Sequence, residues 1–335
     1  MAGKIAKISW SGSFMSTLLD PAILFFVFGV LAGLMGSNLE IPKPISQFLS
    51  LYLLMALGLK GGFALAETGL DFTVAKGLVV AFLLAWLIPI AAYAFLRHHV
   101  AALDAVAIAA AYGSVSAVTF VTAMQFLDGQ GLVPGGHMAA ALVIMESPAV
   151  IFAVTMANRL RHQPLTGAAI AHAAPSHHFR ESLTQGAQLL LLGGMAIGWI
   201  TGDAGREVME PFSIDLFKGM LAFFLLDMGL QVARNVKDVK AASPMLVIFA
   251  LVAPPVHALL ALGLCLLASI SLADTILLMV LAASASYIVV PAVLRQAIPE
   301  ARPALYFGMS LVVTFPLNLI VGIPFYAHLA TQVMS

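Results

Sequence analysis

Two stretches of the chain carry serines in matched positions. Ser114 and Ser116 follow Asp104 by ten and twelve residues, and Ser284 and Ser286 follow Asp274 by the same two steps. The first pair lies in AYGSVSAVTF, from Ala111 to Phe120. The second lies in AASASYIVVP, from Ala282 to Pro291. Each stretch interrupts an apolar run with small and hydroxyl residues. Pro291 has no N–H for a helical ladder, and its ring clashes with the preceding turn. Both places are expected to break a helix. The second half of a broken helix starts with unpaired N–H groups at the positive end of a dipole. Two such starts meeting near the middle of a membrane bind a small anion, with serine hydroxyls as further donors. Gly113, Ser114, Ser116, Ser284 and Ser286 are the candidate anion ligands. Taken singly, either stretch is explained by close helix approach through small residues; the matched pair favours a site.

Ionisable side chains inside apolar runs cost roughly 2.5–3.5 kcal/mol on insertion scales, so each is a functional candidate. Glu146 precedes Ser147-Pro148 and is the leading candidate for a coupling cation or proton, or else a cap for the proline break. Asp227 precedes Met228-Gly229, and Lys60 follows Gly58-Leu59. These two are candidates for a transport role or for a structural ion pair. His257 follows Pro254-Pro255 and reads as a core histidine. Thr119, Thr314 and Asn318 offer neutral oxygens suited to sodium.

The elements that hold these residues follow from composition. Of 335 residues, 61% are hydrophobic and 10% charged, against about 25% charged in a soluble domain. That leaves too few charges to cover a water-facing surface. The apolar runs are near 20 residues long, as a hydrocarbon core of about 30 Å requires. Ten spanning helices are expected, near 21–37, 45–66, 73–97, 103–127, 137–159, 184–201, 212–233, 243–268, 273–297 and 303–330. The fourth and ninth are discontinuous. Asp20-Pro21 reads as a capped helix start. The first apolar run reads as a retained helix and not a cleaved leader.

The chain divides into a first five-helix repeat at 1–160, a polar loop at 161–183 and a second repeat at 184–335. Gly58-Leu59-Lys60 matches Gly229-Leu230-Gln231, Pro148 matches Pro316, and Gly29 and Gly33 match Gly194 and Gly198. All matched pairs lie 165 to 171 residues apart and in the same order. Five crossings per unit make the repeats inverted. Lys43, Arg97, Arg159, Arg161, Arg180, Arg234, Lys237, Lys240, Arg295 and Arg302 fall in one set of loops. Lys4, Lys7, Lys76, Arg206 and Lys218 fall in the other. The basic-rich set is expected to be cytoplasmic, with both termini periplasmic.

Other classes lack support. Lys+Arg and Asp+Glu are 16 each, so no nucleic-acid partner is implied. The single cysteine, Cys265, excludes an intramolecular disulfide. His162, His172, His177 and His178 lack the companion ligands of a zinc site and read as a solvated linker. No H-E-x-x-H or Gly-x-Gly-Asp motif points to an intramembrane enzyme, and a serine hydrolase would need His257 to reach Ser114 or Ser284. A channel on the same frame is a further alternative.

Several longer segments carry a resemblance: LGLKGGFAL at 57–65, YGSVSAVTF at 112–120, MESPAVIFAV at 145–154, DMGLQ at 227–231, APPVHA at 253–258 and LRQAIPEARPALYFG at 294–308. In these the chain resembles the sodium-dependent bicarbonate transporters of SbtA type, over nearly its whole length. The resemblance implies an inner-membrane carrier, a homotrimer and an elevator-like motion. It implies bicarbonate at the crossing of the broken helices and sodium alongside, with no other cofactor. By motif the site falls on Gly113 to Thr119 and Ser284 to Pro291, with Glu146 where the family tends to have aspartate. The chain departs from the family at Tyr287, Val289 and Val290. There an acid is lost, the pocket is narrowed by valines, and Tyr287 supplies one hydroxyl. The loop at 159–183 is short for the family, which argues against a PII-like regulator. Another small organic anion, carried with protons or sodium, is the alternative substrate class.

Overall fold

The computed structural model describes Met15 and residues 18–69, 71–161, 186–240 and 242–334. All elements among them are helical. The inter-repeat histidines and most of the loop at 161–183 lie outside the described residues.

The first half contains α1 (Pro21–Leu34), α2 (Lys43–Thr68), α3 (Phe72–Leu96), α4 (Ala102–Gly113), α5 (Ala117–Gly129) and α6 (Met138–Arg161). The second contains α7 (Gly186–Glu210), α8 (Phe217–Lys240), α9 (Pro244–Ala268), α10 (Leu272–Ala283), α11 (Val289–Ala297) and α12 (Ala304–Met334). Asp20 caps α1 by accepting the Ala22 N–H at 2.8 Å, with Pro21 in the first turn where its missing N–H costs nothing. Asp71 caps α3 in the same way through Val74 N–H at 2.9 Å. Wide π-type turns flank Pro316 in α12, where the ordinary ladder cannot continue through a residue lacking N–H.

Length and apolarity alone qualify seven helical stretches of the described residues as membrane spans. This is fewer than the ten expected segments for physical reasons. At 14 residues, α1 is short of a hydrocarbon core. The break after α10 leaves two short pieces. The stretch Gln188–Lys237 is 50 residues long and counts once, although Gly202 turns the backbone to φ 53° and a π-turn follows at Pro211–Asp215.

Helices of the two halves pack crosswise: α1 lies on α8, and α2 lies on α7. The approach is closest at glycines. A Cβ on Gly229 would fall 2.2 Å from the Phe26 carbonyl oxygen, and one on Gly62 would fall 2.2 Å from that of Met195. At the first contact Gly229 meets Gly29, and at the second Gly62 meets Gly198. By contrast α4 and α10 are buried on every side from Asp104 to Gly113 and from Ala273 to Ala283, the mark of helices enclosed by others. Around them, α3 and α6 pack on α4, while α9 and α12 flank α10 and its neighbourhood. Large apolar side chains on α3 and α9, such as Phe82, Leu87, Leu251 and Leu259, stay exposed.

Candidate functional site at two facing helix breaks

Both predicted breaks are present. The backbone leaves the helix at Ser114–Ser116 and again at Ser284–Ile288. A break deep in an apolar protein is stable only if the released peptide groups find partners. Here they find each other. Ser116 N–H donates to Ser284 Oγ at 2.9 Å, and Ser286 N–H donates to the Ala111 carbonyl at 2.8 Å. Ser284 Oγ donates to the Leu281 carbonyl at 2.8 Å. Asn318 Nδ2 closes the end of α10 by donating to the Ala283 carbonyl at 2.7 Å, and Tyr326 donates to Asn318 Oδ1.

The helices that resume are capped by serine. Ser116 Oγ accepts the Thr119 N–H at 3.2 Å and the Thr119 hydroxyl at 3.0 Å, and donates to Tyr287 OH at 3.3 Å. Ser286 Oγ accepts the Val290 N–H at 3.2 Å. Ala117 and Val289, the first residues of α5 and α11, line one cavity. Ser116, Ser286, Tyr287 and Glu146 line it too. Glu146 Oε2 accepts from Gln188 Nε2 of α7 at 2.7 Å. Leu54 and Leu142 supply apolar wall, and Ser50, Tyr287 and Ile288 also line an adjoining cavity that reaches Gln47 and Arg295.

The arrangement has clear chemical capacity. Two helix starts, serine hydroxyls and a tyrosine hydroxyl offer donors to a small anion. One carboxylate and several hydroxyl oxygens offer acceptors to a hard cation. No cluster of three or more His, Cys, Asp or Glu side chains suited to a metal occurs among the described residues.

The candidate residues separate into three groups. Ser116, Ser286, Tyr287 and Glu146 face the cavity. Gly113, Ser114, Ser284, Thr119, Thr314 and Asn318 do not line it. Gly113 is held against Pro89, whose ring atoms would stand 2.5–2.7 Å from an added Cβ. Thr314 bonds Tyr112 OH and the Ala250 carbonyl. The third group is remote: Asp227 accepts from Ser46 Oγ and from Gln231 Nε2. It makes no ion pair with Lys60, which instead stands 3.7 Å from Asp128. Glu146 faces Gln188 and the cavity, and α6 runs through Pro148 without the expected break. Of the two valines expected to narrow the site, Val289 lines the cavity, whereas Val290 is buried and does not. His257 is buried against the Ala282 carbonyl, and its Nδ1 has no hydrogen-bond partner among the described residues, so it makes no bond to either serine that a hydrolase would need. Cys265 is a buried free thiol.

Sequence reasoning missed Ser50 and Gln188. Both are single uncharged residues without a repeat partner or an insertion cost large enough to single them out.

A helical chain with several membrane-spanning stretches, and with a cavity carrying a carboxylate and hydroxyls where two enclosed helices break side by side, is a multi-pass membrane transport protein. The chain belongs to the Na+-dependent bicarbonate transporter superfamily, whose profile matches residues 21–331. Membership in that family makes it a transporter and not an enzyme. The comparison with curated proteins gave no match.

Proposed function

We propose that the protein takes up bicarbonate together with sodium across a bacterial inner membrane by an elevator-like alternating-access motion. In this reading the chain crosses ten times as two inverted five-helix units, 1–160 and 184–335 joined by 161–183, and works as a homotrimer. The basic-rich loop ends face the cytoplasm and both termini face the periplasm. The observation that carries the reading is the shared cavity at the starts of α5 and α11, with Glu146 on its wall. The anion is held by the N–H groups at the two helix starts and by Ser116, Ser286 and Tyr287, with Ser114 and Ser284 one layer behind. Glu146, with the Ser116–Thr119 hydroxyl pair, receives the cation. Asn318, Thr314 and Asp227 support this site from a distance by holding helix ends and neighbouring side chains.

The crosswise pairs α1/α8 and α2/α7 supply a rigid wall, because their backbones touch at glycine. The body that holds both breaks packs against this wall, and the Glu146–Gln188 bond is a polar contact between them. The cavity continues toward Arg295, so this conformation opens to the cytoplasmic side under the charge-based orientation.

Uptake of labelled bicarbonate into proteoliposomes at a clamped membrane potential tests the reading. Uptake is expected to need sodium; uptake indifferent to sodium would discard the coupling. The apolar wall of Leu54, Leu142, Ile288 and Val289 favours one second reading, a small organic anion with an apolar part. Competition of such acids against bicarbonate separates the two.

A further inference from the structure

A second cavity, with charged side chains on its wall, lies one helical turn beyond the site along the same three helices. The site cavity touches Leu54 of α2, Ala117 of α5 and Leu142 of α6. The second cavity touches Leu57, Phe120 and Met138 on those helices. Three or four residues along a helix is one turn, about 5 Å. The layer between the cavities is apolar, and Leu57, Phe120 and Met138 are all buried. Beyond it the second cavity is lined by Lys60, Gln125, Asp128 and Arg206. Arg206 is engaged, 3.1 Å from Glu67 and over the Phe63 ring. The Lys60 ammonium is held less firmly. It stands 3.7 Å from Asp128, beyond hydrogen-bond length, and 4.8 Å from the centre of the Phe217 ring. The Asp128 side chain is 54% exposed against 23% for Lys60, so water screens the carboxylate more than the amine. A lysine within an apolar span is costly, and such residues mark ion pathways.

We infer that Lys60 is the capture cation of a second anion site, which holds the transported anion on the far side of the apolar layer from the helix breaks. The ligand class is a small monovalent anion. The inference rests on the carrier reading above: α2 belongs to the wall and α5 and α6 to the moving body, so a slide by a turn or more brings the start of α5 level with Lys60. Asp128 competes with the anion for the ammonium. That competition keeps the hold weak enough for onward transfer, as conduction between successive sites requires.

Two measurements on the full chain test this separately from the carrier reading. In crystals soaked in bromide, an anomalous peak beside Lys60 Nζ is expected in the wild type and absent in Lys60→Gln. No peak in the wild type overturns the second site, whether or not the protein carries bicarbonate. In proteoliposomes, Lys60→Gln is expected to raise the bicarbonate KM about tenfold, the scale of electrostatic focusing in a charged cleft, with Vmax near wild type. Lys60→Arg restores KM, and Asp128→Asn lowers it. An unchanged KM in Lys60→Gln, or a fall in Vmax alone, overturns the capture role. Wild-type vesicles that take up no bicarbonate fail the carrier reading itself, and the bromide result then decides the second site.

Discussion

Ser116 reaches the end of α10 through Ser284: its N–H donates to Ser284 Oγ at 2.9 Å, and that hydroxyl donates on to the Leu281 carbonyl at 2.8 Å. The counterpart bond is direct, from Ser286 N–H to the Ala111 carbonyl. One junction therefore uses a hydroxyl relay that the other dispenses with. Ser114, the repeat match of Ser284, is left with a buried hydroxyl that has no partner among the described residues.

This asymmetry separates two serines that look alike in sequence. Ser284→Ala strands the buried Ser116 N–H, which costs about 1–3 kcal/mol, while the Leu281 carbonyl keeps the backbone N–H of residue 284 at 3.1 Å. Ser114→Ala removes a hydroxyl that holds nothing in the fold and does not line the cavity, so both stability and bicarbonate affinity stay near wild type. Thermal unfolding of the purified variants checks the first part and direct binding checks the second. Equal losses of stability would refute the relay.

Glu146→Gln keeps the shape and the Gln188 contact but removes the one carboxylate that lines the cavity among the described residues. The expected outcome is loss of sodium dependence with the protein still folded, whereas Gln188→Ala raises the half-saturating sodium concentration only modestly. A sodium titration of uptake distinguishes them. A normal sodium curve in Glu146→Gln would place the cation elsewhere.

Gly229→Ala puts a methyl 2.2 Å from the Phe26 carbonyl oxygen, and overpacking of this kind costs about 1–3 kcal/mol. Gly219→Ala on the same helix meets nothing within 4 Å, so its better helix propensity stabilises by about 0.5–1 kcal/mol. Melting temperatures moving in opposite directions would support the α1/α8 contact as a backbone-limited joint.

Outside the spans, the Arg161 guanidinium holds the Glu300 carboxyl below its usual range, with hydrogen bonds at 2.6 and 3.1 Å. A lowered carboxyl pKa stabilises the fold above the unfolded-state value, and that contribution is lost as pH falls through the folded value. The pair is half-exposed, so solvent screening limits it to about 0–1 kcal/mol. Arg161→Gln should therefore lower stability at neutral pH by no more than about 1 kcal/mol, leave it unchanged below the folded-state value, and so flatten the acid limb slightly. A large loss at pH 7 would show that Arg161 acts through its bond to the Ala297 carbonyl instead.

The charge bias along the chain is matched by contacts at the helix ends. Arg302 grips Asp104 at 2.8 and 3.0 Å, and Arg161 reaches Glu300, joining loops of both halves. The matched acid Asp274 instead takes the Gly135 N–H at 2.7 Å and faces His137 at 3.9 Å. Aspartates 170 residues apart thus receive one backbone N–H each, but from partners that the sequence match does not specify.

The sequence by itself determined the apolar helices and the two interruptions. These are local properties: hydrophobic length, a missing proline N–H, and small hydroxyl residues that release a helix. Tertiary structure decided which hydroxyls face the cavity and which tie the breaks together. It also brought Gln188 to Glu146 and gave Lys60 to Asp128 instead of Asp227. Those outcomes depend on how helices far apart in the chain are placed and turned against one another. A residue's type states what bonds it can make, and only the neighbouring helix determines which one it makes.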